Sequence, residues 1–424
     1  MAANQNSTIS LADAISIGIG GMIGAGIFSI LGVVAQTAGA AMWVSFLIGG
    51  FVALFSTYSY AKLGATFPSV GGAVTFLIQG FGVGTISGGI NLFMWIGYVI
   101  AIALYAQGFA AYFMTFFTTA HMPWASKCVA SLIVILFTLV NMLGAGSVGR
   151  AETFIVVVKV SILILFAAAG LFFIQPENLS PSHWNHIDQI FFGAGILFIG
   201  YEGFGLVTNA AGDMENPKKK LPLALYLSVF IVIAIYIAVS VTVIGNLSID
   251  AINRSGDYAL AEAAKPFLGG MIGFKLIAIA ALFSTASAIN ATLFGAANVS
   301  YMIARDGELP AVFSRREWRD ATGGLLITTL LVIIFILFFD LAGIAMMGSG
   351  AFLLIYAAVN AGHLNILSQT GANKTIVILS LVLCLIMFAV LEYYTYLHSP
   401  FALYTMLVLL IGSLVVTKVR SLLR

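Results

Sequence analysis

The chain has 424 residues, 61% of them apolar and only 8% charged, with a net charge of +2 and a mean hydropathy of +1.07. A soluble domain carries roughly 25% charged residues, so this composition excludes a water-soluble globular protein. The near-neutral balance gives no attraction for nucleic acid. An all-α integral membrane protein is expected, a single membrane domain over 1–424 with the lipid bilayer as its main partner.

The first ten residues, "MAANQNSTIS", are polar and lack Lys and Arg. The apolar run behind them has no cleavage site, so no cleaved leader is expected. A spanning helix needs about 20 mostly apolar residues. Twelve segments qualify, at 11–37, 41–66, 87–117, 127–144, 151–174, 188–212, 221–245, 269–303, 323–340, 343–366, 375–394 and 400–418. The third and eighth are long enough to tilt or project. The segment 69–82 is too short to span and is expected at the membrane surface. Cys128 and Cys384 show no metal or disulfide spacing and read as core packing.

Basic residues mark the cytoplasmic side. With the N-terminus inside, thirteen of the eighteen Lys and Arg fall in inner loops and the tail, including Lys218, Lys219 and Lys220. Three, Lys127, Arg254 and Lys265, fall outside; Lys159 and Lys275 are within spans. Both termini are therefore expected in the cytoplasm of a cell that holds this protein in its cell membrane.

The first span contains "GIGGMIGAGIF" and the sixth "GAGILFIGYEGFG". Each glycine weakens a helix by up to about 1 kcal/mol relative to alanine, so both clusters mark places where the helix can give way at mid-membrane. Freed N–H and C=O groups are tolerated in lipid only when buried or lining a cavity. N–H groups there attract a carboxylate and carbonyls a cation. Close helix packing is the alternative, since Gly20-xxx-Gly24 fits the small-xxx-small pattern. The two clusters sit at corresponding places in two five-helix halves, 11–174 and 188–366, followed by 375–418. That placement points to a binding site in an inverted-repeat transporter. A dinucleotide site fails on spacing and context.

Lys159 lies about nine residues, roughly 13 Å, inside the fifth span. Such a residue faces the bundle interior and serves in ion or proton pathways, unless it is a fixed cation held by carbonyls. Glu202, in the sixth-span cluster, can bind a substrate amine, carry a proton or tie loose backbone N–H groups. Asp13 suits a helix start. Lys275 snorkels, and Glu392 and Asp340 are expected to be wetted near span ends. The five histidines show no ligand spacing. Ser284 and Ser287 share one face of the eighth span and can accept from a cation. Neither a metal nor another cofactor is expected.

"GIGGMIGAGIF", "GYEGFGLVTNAAGDMENPKKKLP" and "ARDGELP" together resemble the amino acid–polyamine–organocation (APC) superfamily, from about residue 10 to the end. The match is nearest to the ApcT-type proton-coupled amino acid transporters, which also carry a lysine in span five. The resemblance implies the leucine-transporter-type fold: a 5+5 inverted repeat, two appended helices, and helices 1 and 6 unwound at the substrate. It implies that the Lys159 amine replaces sodium between spans 1, 5 and 8, directed at Gly20 and at Ser284 or Ser287. It also places substrate against Ile23, Gly24, Ala25, Gly26, Gly200, Tyr201, Glu202, Gly203 and Phe204, with Tyr98 or Tyr105 alongside. The ApcT-type pattern has a serine and a methionine where this chain has Gly26 and Glu202, so substrate preference does not carry over. In the loop "ENPKKKLP", Asn216-Pro217 is expected to end the sixth helix.

The expected function is proton-coupled amino acid transport by alternating access. An exchanger of amino acids or amines on the same fold is the alternative, and a non-transporting membrane sensor is a weaker one. No nucleophile–base pair, metal cluster or phosphate loop suggests an enzyme.

Overall fold

The structure is a computed structural model that describes residues 9–24, 26–69, 71–117, 123–142, 148–305, 309, 311–318 and 321–422. Among these, eleven helical segments are long and apolar enough to cross a membrane, and Gly323–Phe338 is a shorter apolar helix of 16 residues. A short ribbon pairs Arg316–Trp318 with Ala321–Thr322 just before that helix. The chain is thus a multi-pass, essentially all-helical membrane protein.

The second to fifth spans are Met42–Thr66, Thr85–Met114, Pro123–Met142 and Val148–Leu171. The seventh and eighth are Pro217–Asn246 and Met271–Arg305. Gly323–Phe338 is the ninth, and Leu341–Leu364, Lys374–His398 and Pro400–Leu422 complete the set. The third span is apolar all round, the pattern of an enclosed helix. It is 94% buried, whereas the fourth is 17% and the twelfth 22% buried. The third, sixth and tenth spans therefore form the centre, and the fourth, fifth, eleventh and twelfth face outward.

Two local expectations, at Asn216-Pro217 and at Cys128, are corrected. The segment 69–82 contains the helix Ala73–Phe81, nine residues long, which buries Val74, Leu77 and Gly80. A Cβ on Gly80 would stand 2.6 Å from Gly362 Cα, so the short helix is pressed against the tenth span. Asn216-Pro217 does not end the sixth span, which stops at Asp213. Asn216 adopts the left-handed conformation (φ 55°, ψ 58°) and Pro217 opens the seventh span, because proline fits the first helical position. Lys220, in the first turn, pairs with Glu215 at 2.7 Å. Finally, Cys128 is exposed and only Cys384 is buried, its Sγ 3.2 Å from Ser56 Oγ.

Ile249–Ser255, Gly256–Tyr258 and Ala259–Ala263 fold over the C-terminal part of the first span, Leu31–Ala38. A Cβ on Gly32 would run into the Gly256 carbonyl, so this cover fits without a gap.

Candidate functional site

The first span begins with a capping box: Ser10 and Asp13 bond each other's backbone N–H at 3.2 and 3.1 Å. Its α-helix, Leu11–Met22, closes with the Ile23 N–H on the Ile19 carbonyl and resumes at Gly26–Ser29. Ala25 lies outside the described residues. Carbonyls around this junction need donors, because lipid offers none. Three side chains from three other spans supply them. Lys159 Nζ donates to Gly20 O at 3.0 Å. Tyr236 donates to Met22 O at 2.5 Å. Ser284 donates to Ile23 O at 2.7 Å and Gly24 O at 3.0 Å. Lys159 is 1% exposed, so its amine is removed from solvent. Ser287, one turn from Ser284, is buried and also engaged.

The sixth span changes character in its middle. Ile187–Ile196 is α-helix and Leu197–Asp213 is a 3-10 helix. The α-helix gives way, but to a tighter coil and not to extended chain. A 3-10 helix keeps its backbone groups bonded internally while stacking every third residue. Ser349 of the tenth span clamps the change-over, accepting from Ile199 N at 2.9 Å and donating to Ile196 O at 2.7 Å. Tyr236 also donates to Gly200 O at 3.0 Å, and Tyr356 to Glu202 O at 2.6 Å.

The threefold stacking aligns Gly200 with Gly203, and that row meets the first span. A Cβ on Gly26 would lie 2.6 Å from Gly200 Cα; one on Gly203 would strike the Gly21 and Met22 backbone. The glycine clusters are thus a packing seam between the two spans, paired Gly21–Gly203 and Gly26–Gly200.

Glu202 points away from that seam into a cavity lined by Tyr60, Tyr98, Asn209, Phe352 and Tyr356. Its side chain is 2% exposed and Oε1 accepts from Tyr105 at 3.2 Å. The space open to the centre of a water molecule is about 20 Å³, room for one or two waters. Its lining runs past partly exposed Gly205 and Asn209 to Gly71, which follows the C-terminal end of the second span. Phe204 packs edge-on to Tyr60 with ring centres 5.3 Å apart and closes one wall with Tyr356, 4.9 Å away.

Lys159, Gly20, Ile23, Gly24 and Ser284 therefore meet at one junction, and Glu202 with Tyr98 and Tyr105 at the adjoining cavity. Tyr201 stands apart, donating to Phe46 O of the second span at 2.8 Å. Sequence reasoning missed Tyr236, Ser349 and Tyr356. Their signal was faint: single hydroxyls within apolar spans, indistinguishable from lipid-facing or core positions until the helices are placed. It also misread Glu392, whose carboxyl oxygens are buried and not wetted. Among the described residues no group of His, Cys, Asp and Glu could hold a metal ion.

A buried cavity thus lies at the meeting of an interrupted helix and a re-coiled one inside a multi-pass bundle, a setting in which membrane transporters hold their substrates. The family model described as Amino acid permease matches residues 9–416, and the chain belongs to that family. It is 42% identical to an uncharacterised protein of Methanocaldococcus jannaschii, covering 97% of this chain and 94% of that one. It is 33% identical to the inner membrane transport protein YbaT of Escherichia coli, covering 98% and 97%. A more distant relative, 27% identical over 73% of this chain and 69% of its own, is the methylthioribose transporter of Bacillus subtilis.

Proposed function

We propose that the protein is a proton-coupled amino acid transporter of the cell membrane, working by alternating access with both termini in the cytoplasm. The observation that carries this reading is the Lys159 amine, buried and bonded to the Gly20 carbonyl beside the first-span junction. Protonated, it holds the fifth span to the first, with Ser284 and Ser287 of the eighth completing the contact. Neutral, it holds them less firmly. A proton shifts a conformational equilibrium only through such a differential interaction.

In this reading 11–174 and 188–366 are inverted repeats that move against each other, and 375–418 are appended. Substrate carboxylate binds N–H groups within the Ile23–Gly26 stretch, those beyond Ile23, whose own N–H already bonds the Ile19 carbonyl. Substrate amine binds near Gly200–Gly203. There the Gly200 and Glu202 carbonyls already take hydroxyls, which leaves the Glu202 side chain as the strongest acceptor. The family description supports an amino acid as the substrate class. The cavity must widen to admit one, since about 20 Å³ is far below a ligand pocket of several hundred Å³.

The test is uptake by proteoliposomes under an imposed pH gradient, with and without sodium. Lys159→Ala should lose gradient-driven accumulation, and wild type should not need sodium. Accumulation by the variant with unchanged pH dependence would end the coupling role. A second reading, exchange of a cationic amine, is favoured by Glu202 amid Tyr60, Tyr98 and Tyr356, since aromatic faces and a carboxylate suit a cation. Counterflow without net uptake would select it.

A further inference from the structure

Glu392 lies six residues before the outer end of the eleventh span, roughly 9 Å inside the helix at 1.5 Å per residue. Both of its carboxyl oxygens are buried and have no hydrogen-bond partner among the described residues. The carboxyl is wedged between two neighbouring spans. A Cβ on Gly350 of the tenth would strike Glu392 Oε1, and would stand 2.8 Å from Met406 Sδ of the twelfth. Neither neighbour donates a hydrogen bond.

The titratable and charged groups on the packed elements stand elsewhere. His398 and Tyr394 close the outer end of the same helix, where Tyr394 Oη is 3.4 Å from Thr37 Oγ1. Asp340 heads the tenth span and caps it through Gly343 N at 2.9 Å, and Asp188 lies in the first turn of the sixth. His363, Lys62, Lys374, Lys418 and Arg420 are at the inner ends of their spans. Tyr393, Tyr396 and Tyr404 are exposed outward; Tyr58 meets Asn373 N; Tyr60 and Tyr356 belong to the central cavity; Cys384 bonds Ser56. An ionised carboxylate buried without a donor is disfavoured, so this arrangement suits the neutral carboxylic acid better than the carboxylate.

Two features connect it to the rest of the molecule. Met346, one turn toward the outer end from Gly350, lines a recess of about 230 Å³ with Asp340, Tyr394 and His398. A proton thus has only one helical turn to travel from that recess. In the other direction, Ser349 adjoins Gly350 and clamps the point where the sixth span passes from α to 3-10 helix.

We propose that Glu392 is a second proton-binding site, loaded from the outer recess, whose charge state bears on the sixth span through Gly350 and Ser349. Loading adds one proton to the carboxylate. Unloading returns it to water when the wall between the tenth and eleventh spans parts. Glu392 touches neither Lys159 nor the central cavity, so the site stands whether or not Lys159 couples transport.

The test uses the full-length protein in liposomes and dicyclohexylcarbodiimide, an apolar reagent that adds to protonated carboxyls. The carboxyl proton moves to one carbodiimide nitrogen, the carboxylate oxygen bonds the central carbon, and rearrangement leaves a stable N-acylurea with no atom lost. Mass spectrometry should find the adduct on Glu392 at acidic pH. Its rate should fall about tenfold for each pH unit above the midpoint of a single proton site. Glu392→Gln should abolish that adduct and Glu202→Gln should not. No Glu392 adduct at acidic pH, or a rate indifferent to pH, would overturn the site. Glu392→Gln keeps size and neutrality, so it should match wild-type thermal stability at acidic pH and show a flattened dependence of uptake on outer pH. A wild-type outer-pH profile in that variant would overturn the link to the sixth span.

Discussion

Lys159 and Glu202 are both buried, at 1% and 2% exposure, yet they are held differently. Lys159 is spent on a backbone carbonyl, so its removal has two opposed effects on stability. Gly20 O loses its donor, at a cost of about 1–3 kcal/mol, while the burial of a charge is relieved. Lys159→Ala should therefore melt within a few degrees of wild type while losing coupling to pH. A large fall in melting temperature together with retained coupling would make the lysine a structural cation. Glu202 keeps most of its acceptor capacity for a ligand, since Tyr105 supplies one hydrogen bond at 3.2 Å. Hydrogen bonds to charged groups contribute about 1.5–3 kcal/mol. Glu202→Gln should thus weaken an amine-bearing substrate by roughly 10- to 100-fold in Kd, measured by isothermal titration. An unchanged Kd would show that the carboxylate does not meet the substrate amine. Lys159 was conspicuous in the sequence because a charge inside an apolar helix has few explanations. Tyr236, which ties Met22 to Gly200, was not, because a tyrosine between isoleucines reads equally well as lipid-facing.

At the scale of the helix, the seam of Gly21, Gly26, Gly200 and Gly203 fixes how closely the first and sixth spans approach. Gly203→Val places a branched side chain against the Gly21–Met22 backbone, which cannot retreat without disturbing the Tyr236 and Ser284 bonds. Overpacking of this kind costs about 1–3 kcal/mol or more. A clear loss of thermal stability is expected in detergent, with transport lost even at temperatures where the variant stays folded. Gly205→Ala, whose Cβ would meet nothing nearer than Tyr60 at 3.4 Å, is the control and should melt close to wild type. Equal melting temperatures for both variants would dissolve the seam argument. Hydropathy made the spans legible because twenty apolar residues have few other uses. The clusters were legible as interruptions, but not which backbone would replace the α-helix. That choice is made by partners from distant spans, and the Ser349 clamp lies 150 residues away.

For the whole molecule, the Ile249–Ala263 cover packs on Leu31–Ala38 at one end of the bundle, while the cavity beside Glu202 leads toward Gly71. Asp257 sits within this cover, in the turn resting on the first and third spans. Burial, helped by the charge of Asp340, pushes its carboxyl from the ordinary 3.8 up to about 6. For an acid whose folded value is raised, the folded state holds a proton that the unfolded chain releases earlier. The stabilising contribution is complete below about 3.8 and is lost as pH rises through about 6. Wild type should therefore lose a few degrees of melting temperature across that window. Asp257→Asn, neutral throughout, should lose less and should exceed wild type above the window. Melting curves with the same slope in both proteins would remove Asp257 as the source of this pH dependence. A steeper slope in wild type would show that the folded cover keeps the Asp257 proton through the window in which the unfolded chain releases it.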